Sequence, residues 1–204
     1  AISAGPGNPP AVVDETADLE RAARDLVAGA SFDNNIICTD EKAVVAVALI
    51  ADPLKEAFAR AGAVVLPPLH IEKLRRLLLE REHGPRQHAE INRRYVGKDA
   101  GLILRDAGIP CDPRTRLALC EVDADHPFLW TEMMMPVLPL TRARTVDEAI
   151  DFALVVEQGY RHTASMHSHD LTALSTMARR CNCSIFVKNG PNLSGLGSGG
   201  EGHT

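Results

Sequence analysis

Cys38 stands within the polar segment SFDNNIICTDEK. An Asp-Asn-Asn triplet precedes this thiol and a Thr-Asp-Glu-Lys quartet follows it, and neither group suits a deep core. A nucleophilic cysteine needs partial exposure and a stabilised thiolate, and Lys42 is a candidate cation for that purpose. Because free cysteines are more often buried structural residues, the local context leaves both interpretations open.

The other four cysteines are predicted to be structural. Cys181 and Cys183 form a C-x-C pair, whereas a structural zinc site usually has C-x-x-C spacing and two further ligands. Cys111 and Cys120 are predicted to pack in a loop and a strand. The first residues, AISAGPGNPP, have neither a basic region nor an apolar run, so we expect no signal peptide. Reduced thiols in a cytoplasmic setting are therefore the better interpretation.

Two further patterns could in principle bind a ligand. His162, His167 and His169 cluster in YRHTASMHSHD, but no carboxylate or cysteine stands at a convincing companion spacing, so we expect no metal. The glycines of GLGSGG satisfy G-x-G-x-x-G, the fingerprint of dinucleotide binding between a strand and a helix. The sequence continues for only four residues after the last of these glycines, so we reject that interpretation and retain a glycine-rich loop that shapes a pocket.

Glu132 opens the segment TEMMMPVLPLTR, a loop that enters a predicted strand. One interpretation is a turn whose methionines fill the core, since methionine adapts to irregular gaps. The other is a carboxylate that accepts hydrogen bonds from the hydroxyl groups of a ribose. The residues alone do not decide between them.

Composition limits the function classes. The sequence has 204 residues, a formal charge of −5, 45% hydrophobic and 24% charged residues, which is typical of a globular protein. A mildly acidic chain lacks the clustered positive charge that general nucleic-acid binding requires. No apolar run reaches the roughly 20 residues of a membrane-spanning helix, so we expect no membrane partner.

Strand-like and helix-like segments alternate, which predicts an α/β fold with a mostly parallel sheet. The predicted strands are 11–13, 43–49, 117–122, 137–140, 163–167 and 184–188. The predicted helices are 19–27 with Thr16 as N-cap, 53–60 ended by Gly62, 71–81, 99–106, 146–158 and 171–180. Residues 82–94 are predicted to form a loop, and no element is predicted after 188. Since ligands of such sheets lie at the carboxyl ends of strands, the loops leaving the strands are expected to matter most.

The sequence resembles the catalytic half of the aldehyde dehydrogenases, and most closely their CoA-acylating branch from propanediol- and ethanolamine-utilising bacterial microcompartments. The segments that carry the resemblance are AISAGPGNPPAVVDETADLERAARDLVAGASFDNNIICTDEK, HPFLWTEMMMPVLPL, HTASMHS and SIFVKNGPNLSGLGSGGEGHT. They are long, ordered and correctly spaced, with residues 71–116 the least distinctive part. The resemblance implies a three-layer α/β domain of the aldehyde dehydrogenase catalytic type.

The resemblance also implies roles for individual residues. It assigns Cys38 as the catalytic nucleophile and Glu132 to the ribose next to the nicotinamide. Met134 is also expected to contact the cofactor, where it replaces the phenylalanine of the family's E-x-F-G-P-V motif, and Met135 replaces the glycine. Ile37 and Thr39 flank the nucleophile and are candidates for lining the substrate pocket.

At the beginning of the sequence, Ala4 and Gly5 would lie beside the nicotinamide. Ser3 stands where the hydrolytic members carry a catalytic glutamate. Hydrolysis of the thioester needs a carboxylate that activates water, so the resemblance implies that an external thiol takes the acyl group instead.

The reaction implied is oxidation of a short-chain aldehyde, propionaldehyde above others, with NAD⁺ and coenzyme A to acyl-CoA through a thioester on Cys38. Residues 1–204 would form the catalytic domain, with the amino-terminal nucleotide-binding domain and the oligomerisation arm of the family lying outside this sequence. A homo-oligomer and association with a microcompartment shell are expected of the complete enzyme. The alternative is a truncated, non-catalytic domain with a role in assembly or interaction.

Overall fold

The structure is a computed structural model that describes residues 6–197. The strands are β1 Pro10–Val13, β2 Ala43–Val47, β3 Val64–Leu66, β4 Leu79–Arg81, β5 Glu90–Ile91, β6 Ala118–Glu121, β7 Val137–Ala143, β8 Thr163–His167 and β9 Ile185–Lys188. The helices are α1 Leu19–Ala30, α2 Ala48–Arg60, α3 Pro68–Leu78, α4 Ala100–Asp106, α5 Pro127–Trp130, α6 Val146–Val156 and α7 Leu171–Arg180. Short 3₁₀ turns cover Phe32–Asn35, Arg93–Tyr95 and Asn192–Leu196.

Seven strands form one parallel sheet in the order β3-β6-β7-β2-β1-β8-β9, and β4 and β5 form a separate antiparallel pair. Every residue of β1 and β2 is buried, as the continuous apolar run AVVAV predicts for a strand covered on both faces. The α/β prediction with a mostly parallel sheet is therefore confirmed.

The order of connections places the helices on both faces of the sheet. The crossovers through α1 and α2 run towards the β3 edge, whereas those through α6 and α7 run towards the β9 edge. Because parallel crossovers are right-handed, α1 and α2 cover one face, and α6 and α7 cover the other. In agreement, α1 packs on α2, and α6 packs on β1, β2 and α7. Within residues 6–197, no helix has the length and apolar character needed to cross a membrane.

Thr16 is not the N-cap of α1, contrary to the prediction. That position belongs to Asp18, whose side chain accepts a 3.0 Å hydrogen bond from the Arg21 N–H. Thr16 instead donates its hydroxyl to Asp14 at 2.7 Å and accepts the His169 N–H at 2.7 Å. Both residue types can cap a helix, and Asp, which is the more favourable of the two at this position, is the one that reaches the helix.

Several predicted bounds are also wrong. Strand β2 ends at Val47 and α2 begins directly at Ala48, so Pro53 lies inside the helix rather than at its start. Pro53 and Leu49 are both exposed. The proline has no N–H to donate to the Leu49 carbonyl, so water can solvate that carbonyl instead. Helix α3 begins at Pro68, a favourable first position, and the predicted 71–81 helix ends early because β4 follows.

Candidate functional site

The candidate site lies at the amino ends of four adjacent strands, β7, β2, β1 and β8. Cys38 precedes β2 and is half-buried, and Glu132 precedes β7. Gly7 precedes β1, and His162 immediately precedes β8. The expectation that loops at the carboxyl ends carry the site is therefore wrong for these residues, because each of them enters a strand rather than leaving one.

A left-handed turn positions the loop that carries Cys38. Asp33, Asn34 and Asn35 have φ angles of 43°, 53° and 64°, a region that Asp and Asn tolerate better than other side chains. The buried Asn35 amide donates to the carbonyls of Ala30 at 2.8 Å and Glu41 at 3.0 Å. The Asp-Asn-Asn triplet is thus a structural support for the thiol.

Lys42 is a buried cation beneath the same loop. Its Nζ donates to the Asn35 carbonyl at 2.6 Å, to the Asn35 side-chain oxygen at 2.8 Å and to the Ile37 carbonyl at 3.1 Å. Burial lowers the pKa of Lys42 to about 8, while the charges of nearby groups, Glu132 and Cys38 among them, act to raise it. Lys42 therefore lies within the electrostatic influence of Cys38 and Glu132, while its hydrogen bonds go to Asn35 and Ile37.

Asn192 binds the opposite side of the loop that carries Cys38. Its backbone N–H donates to Glu41 Oε1 at 2.7 Å, and its side-chain amide donates to the Thr39 carbonyl at 2.9 Å. The Glu41 side chain is completely buried, and burial raises the pKa of this carboxyl to about 8. Gly29 lies directly against it, since a Cβ at residue 29 would overlap the Glu41 carboxyl group.

His162 lies close to Gly7, which also lies close to the loop that carries Cys38. A Cβ built on Gly7 would lie 2.8 Å from the Cys38 carbonyl oxygen and 3.3 Å from His162 Cγ, so the imidazole and the Cys38 carbonyl both lie against Gly7. The ring nitrogen Nδ1 lies 2.8 Å from Thr163 Oγ1, and the His162 N–H donates to Glu157 at 3.0 Å. The place of His162 beside Gly7 has no local sequence signal, because only the strand order brings the residue before β8 close to the residues before β1.

The three histidines do not form one cluster. His167 is buried at the carboxyl end of β8, where burial lowers its pKa to about 4, and His169 is exposed beyond it. In the described part of the chain, no group of three or more His, Cys, Asp or Glu residues is arranged to hold a metal ion.

The remaining predicted site residues have different environments. Ile37 and Glu132 are half-buried, whereas Thr39 is buried and its hydroxyl has no partner in residues 6–197. Met134 is half-buried and has a φ of 51°, and its carbonyl accepts the Gly97 N–H at 3.0 Å. The neighbouring Met133 and Met135 are buried in the core, as the core-filling interpretation predicts for them. Ser3, Ala4 and Gly5 lie outside the described residues.

A cleft of about 910 Å³ lies at the opposite end of the strands, by the carboxyl ends of β6 and β7. Its cations are already paired: Lys55 contacts Asp52 and Glu121, and Arg142 contacts Asp52 at 2.6 Å and Glu121 at 2.5 Å. No cysteine lines this cleft, so chemistry rather than size identifies the candidate site.

No family model matches the chain. An acetylating acetaldehyde dehydrogenase from Salmonella typhimurium is 50% identical over 203 residues, which are 100% of this chain and 43% of that protein. A CoA-propanoylating propanal dehydrogenase from the same organism is 43% identical over 204 residues, 100% of this chain and 42% of that protein. The chain thus spans less than half the length of these curated relatives.

Solved structures agree with these similarities. A Rhodopseudomonas palustris propionaldehyde dehydrogenase with bound CoA and an acylated cysteine has a TM-score of 0.93 and 47% identity, covering 100% of this chain and 45% of that one. A propionaldehyde dehydrogenase from the fucose-utilisation microcompartment of Clostridium phytofermentans has a TM-score of 0.91 and 39% identity, covering 98% of this chain and 45% of that one.

Proposed function

Over its whole length the chain is related to the CoA-acylating aldehyde dehydrogenases, and on that premise we propose that it is the part of such an enzyme that carries the catalytic cysteine. The reaction is oxidation of a short-chain aldehyde with NAD⁺ and coenzyme A to acyl-CoA. The observation that carries the proposal is the half-buried Cys38 on a loop held from both sides by Lys42 and Asn192.

In the first half of the reaction, the Cys38 thiolate attacks the aldehyde carbonyl carbon and forms a tetrahedral thiohemiacetal. The backbone N–H of Cys38 makes no hydrogen bond within residues 6–197, so it is free to donate to the oxyanion. His162 lies against Gly7, as the Cys38 carbonyl does, and is assigned as the group that accepts the thiol proton. Loss of hydride leaves a thioester on Cys38.

The residues present fit a ribose at the site. The Glu132 carboxylate is half-buried and accepts no hydrogen bond from the described residues, so both oxygens can accept from hydroxyl groups. When bound, NAD⁺ supplies the hydride acceptor. Glu132 and Met134 are proposed to hold it from this side, together with Ala4 and Gly5, and Ile37 and Thr39 to border the aldehyde.

In the second half, the thiol of coenzyme A attacks the thioester carbonyl, and Cys38 leaves as the thiolate. Once His162 has released the Cys38 proton to solvent, it is assigned to take the proton of the incoming thiol as well. Ser3, in place of the catalytic glutamate of hydrolytic relatives, supports slow attack by water and hence transfer to coenzyme A.

Acyl transfer in reverse tests the proposal. Incubation of the chain with propionyl-CoA should place a propionyl group on Cys38, detected by mass spectrometry of its peptide. The variant Cys38→Ser should not form this thioester, whereas the matched control Cys111→Ser should. A propionyl group on another cysteine, or no transfer in a chain that binds coenzyme A in a calorimetric titration, would contradict the assignment.

The setting of the complete enzyme is part of the same proposal. The named microcompartment of the Clostridium phytofermentans relative supports a cytoplasmic location inside such a compartment. A homo-oligomer and association with the shell are proposed with it. Sedimentation of the purified protein, alone and with shell proteins, tests both.

A further inference from the structure

A second pair of thiols lies away from the candidate site, at the end of α7. Cys181 is the C-cap of that helix, and its N–H donates to the Met177 carbonyl at 2.9 Å. Asn182 has a φ of 43°, so the chain folds back before Cys183. The two Sγ atoms consequently lie 3.2 Å apart, the one contact between two thiols in the described part of the chain.

The two thiols have different surroundings. Cys183 Sγ donates to the Ile185 carbonyl at 2.9 Å, which holds the proton on that sulfur. The contact with Cys183 lowers the pKa of Cys181 to about 7, and the contact with Cys181 raises the pKa of Cys183. One sulfur is therefore suited to be the nucleophile and the other to be the resolving thiol.

A metal ion fits the pair less well than a disulfide does. Within residues 6–197, no third His, Cys, Asp or Glu joins the two thiols to form a metal-binding group. The two sulfurs are already in contact at 3.2 Å, and a disulfide would join them at about 2 Å without any third ligand.

We propose that Cys181 and Cys183 form a reversible modification site, at which a small peroxide converts the two thiols into an intramolecular disulfide. The Cys181 thiolate attacks one oxygen of hydrogen peroxide, the O–O bond breaks, hydroxide leaves, and a sulfenic acid forms. The Cys183 sulfur then attacks the Cys181 sulfur, the S–O bond breaks, and the oxygen leaves as water with the Cys183 proton. The two thiols lose two electrons and two protons, and the peroxide becomes two waters.

Tryptic mapping of the full chain tests the site. Cleavage after Arg180 and Lys188 gives a peptide of residues 181–188 that contains both thiols. When the protein is treated with hydrogen peroxide and then with iodoacetamide, without reductant, this peptide should be two hydrogen atoms lighter than its dithiol form. It should carry no alkyl group. Its doubly alkylated form should be roughly tenfold less abundant than in untreated protein, and dithiothreitol should restore it.

Three variants separate the roles. In Cys183→Ser, Cys181 should remain a sulfenic acid that dimedone traps, and in Cys181→Ser, Cys183 should stay alkylable after peroxide. The matched control Cys111→Ser should still show the loss of two hydrogens. The proposal is overturned if peroxide leaves both thiols of the unmodified sequence open to iodoacetamide, adds only oxygen to them, or joins this peptide to another.

Discussion

The side-chain amide of Asn192 donates a 2.9 Å hydrogen bond to the carbonyl of Thr39, the residue after the candidate nucleophile. Both groups are buried, so the carbonyl has no water to replace a lost partner. Removing one partner of a buried hydrogen bond costs about 1–3 kcal/mol. The contact therefore couples the glycine-rich end of the described chain to the position of Cys38.

Asn192→Ala should lower the free energy of unfolding by about 1–3 kcal/mol, because the Thr39 carbonyl is left buried without a donor. Denaturant unfolding measures the change. The exposed Gln87→Ala, which also removes an amide, should change stability by less than about 0.5 kcal/mol. Equal effects of the two variants would show that the Asn192 contact does not stabilise the loop.

Gly29→Ala should destabilise the protein by about 1–3 kcal/mol, although the same change inside a helix usually stabilises by about 0.5–1 kcal/mol. The reason is the overlap of the new Cβ with the Glu41 carboxyl group. A double-mutant cycle checks this cause, since the penalty should disappear when Glu41→Ala makes room. A penalty that persists in the double variant would place its origin elsewhere.

The buried Glu41 carboxyl should make the free energy of unfolding decrease as the pH rises. Burial raises the pKa of its carboxyl from 4.5 to about 8, so the native state holds more protons than the unfolded state between these values. Stability therefore falls as pH rises through this window. Glu41→Gln, which keeps an acceptor for the Asn192 N–H, should flatten the decline in unfolding free energy between pH 5 and about 8. An unchanged slope would mean that the carboxyl is already ionised in the native state.

His162→Asn should slow the transfer of a propionyl group from propionyl-CoA to Cys38. Loss of a proton acceptor costs about 10²–10⁴-fold in enzymatic steps. Mass spectrometry of the Cys38 peptide over time gives the rate of transfer. The exposed His169→Asn should leave this rate unchanged. An unchanged rate in His162→Asn would remove His162 from the proposed mechanism.

Much of the fold was predictable because its signals are local. The apolar run at β2 has no polar interruption, and β8 and α7 have the predicted bounds. Strand β3 and helix α5 were missed because three or four residues are too few to show a period.

The candidate site was less predictable because its contacts are long-range. Cys38 and Glu132 stand in distinctive local segments, but 153 residues separate Asn192 from Thr39. The place of His162 depends on β1 lying between β2 and β8, which no single segment contains. The general rule that ligands lie at the carboxyl ends of parallel strands points to other loops, because the loop that carries Cys38 enters its strand.

The order in which the five thiols react tests the central claim most directly. Native chain is treated with less than one equivalent of iodoacetamide at pH 7, and the alkylated peptides are quantified. The account predicts that Cys38 is labelled first, because the proposed mechanism gives its thiol a proton acceptor in His162, whereas Cys111 and Cys183 are half-buried without such a role and Cys120 is fully buried. Labelling of Cys111 or Cys181 well ahead of Cys38 would contradict it.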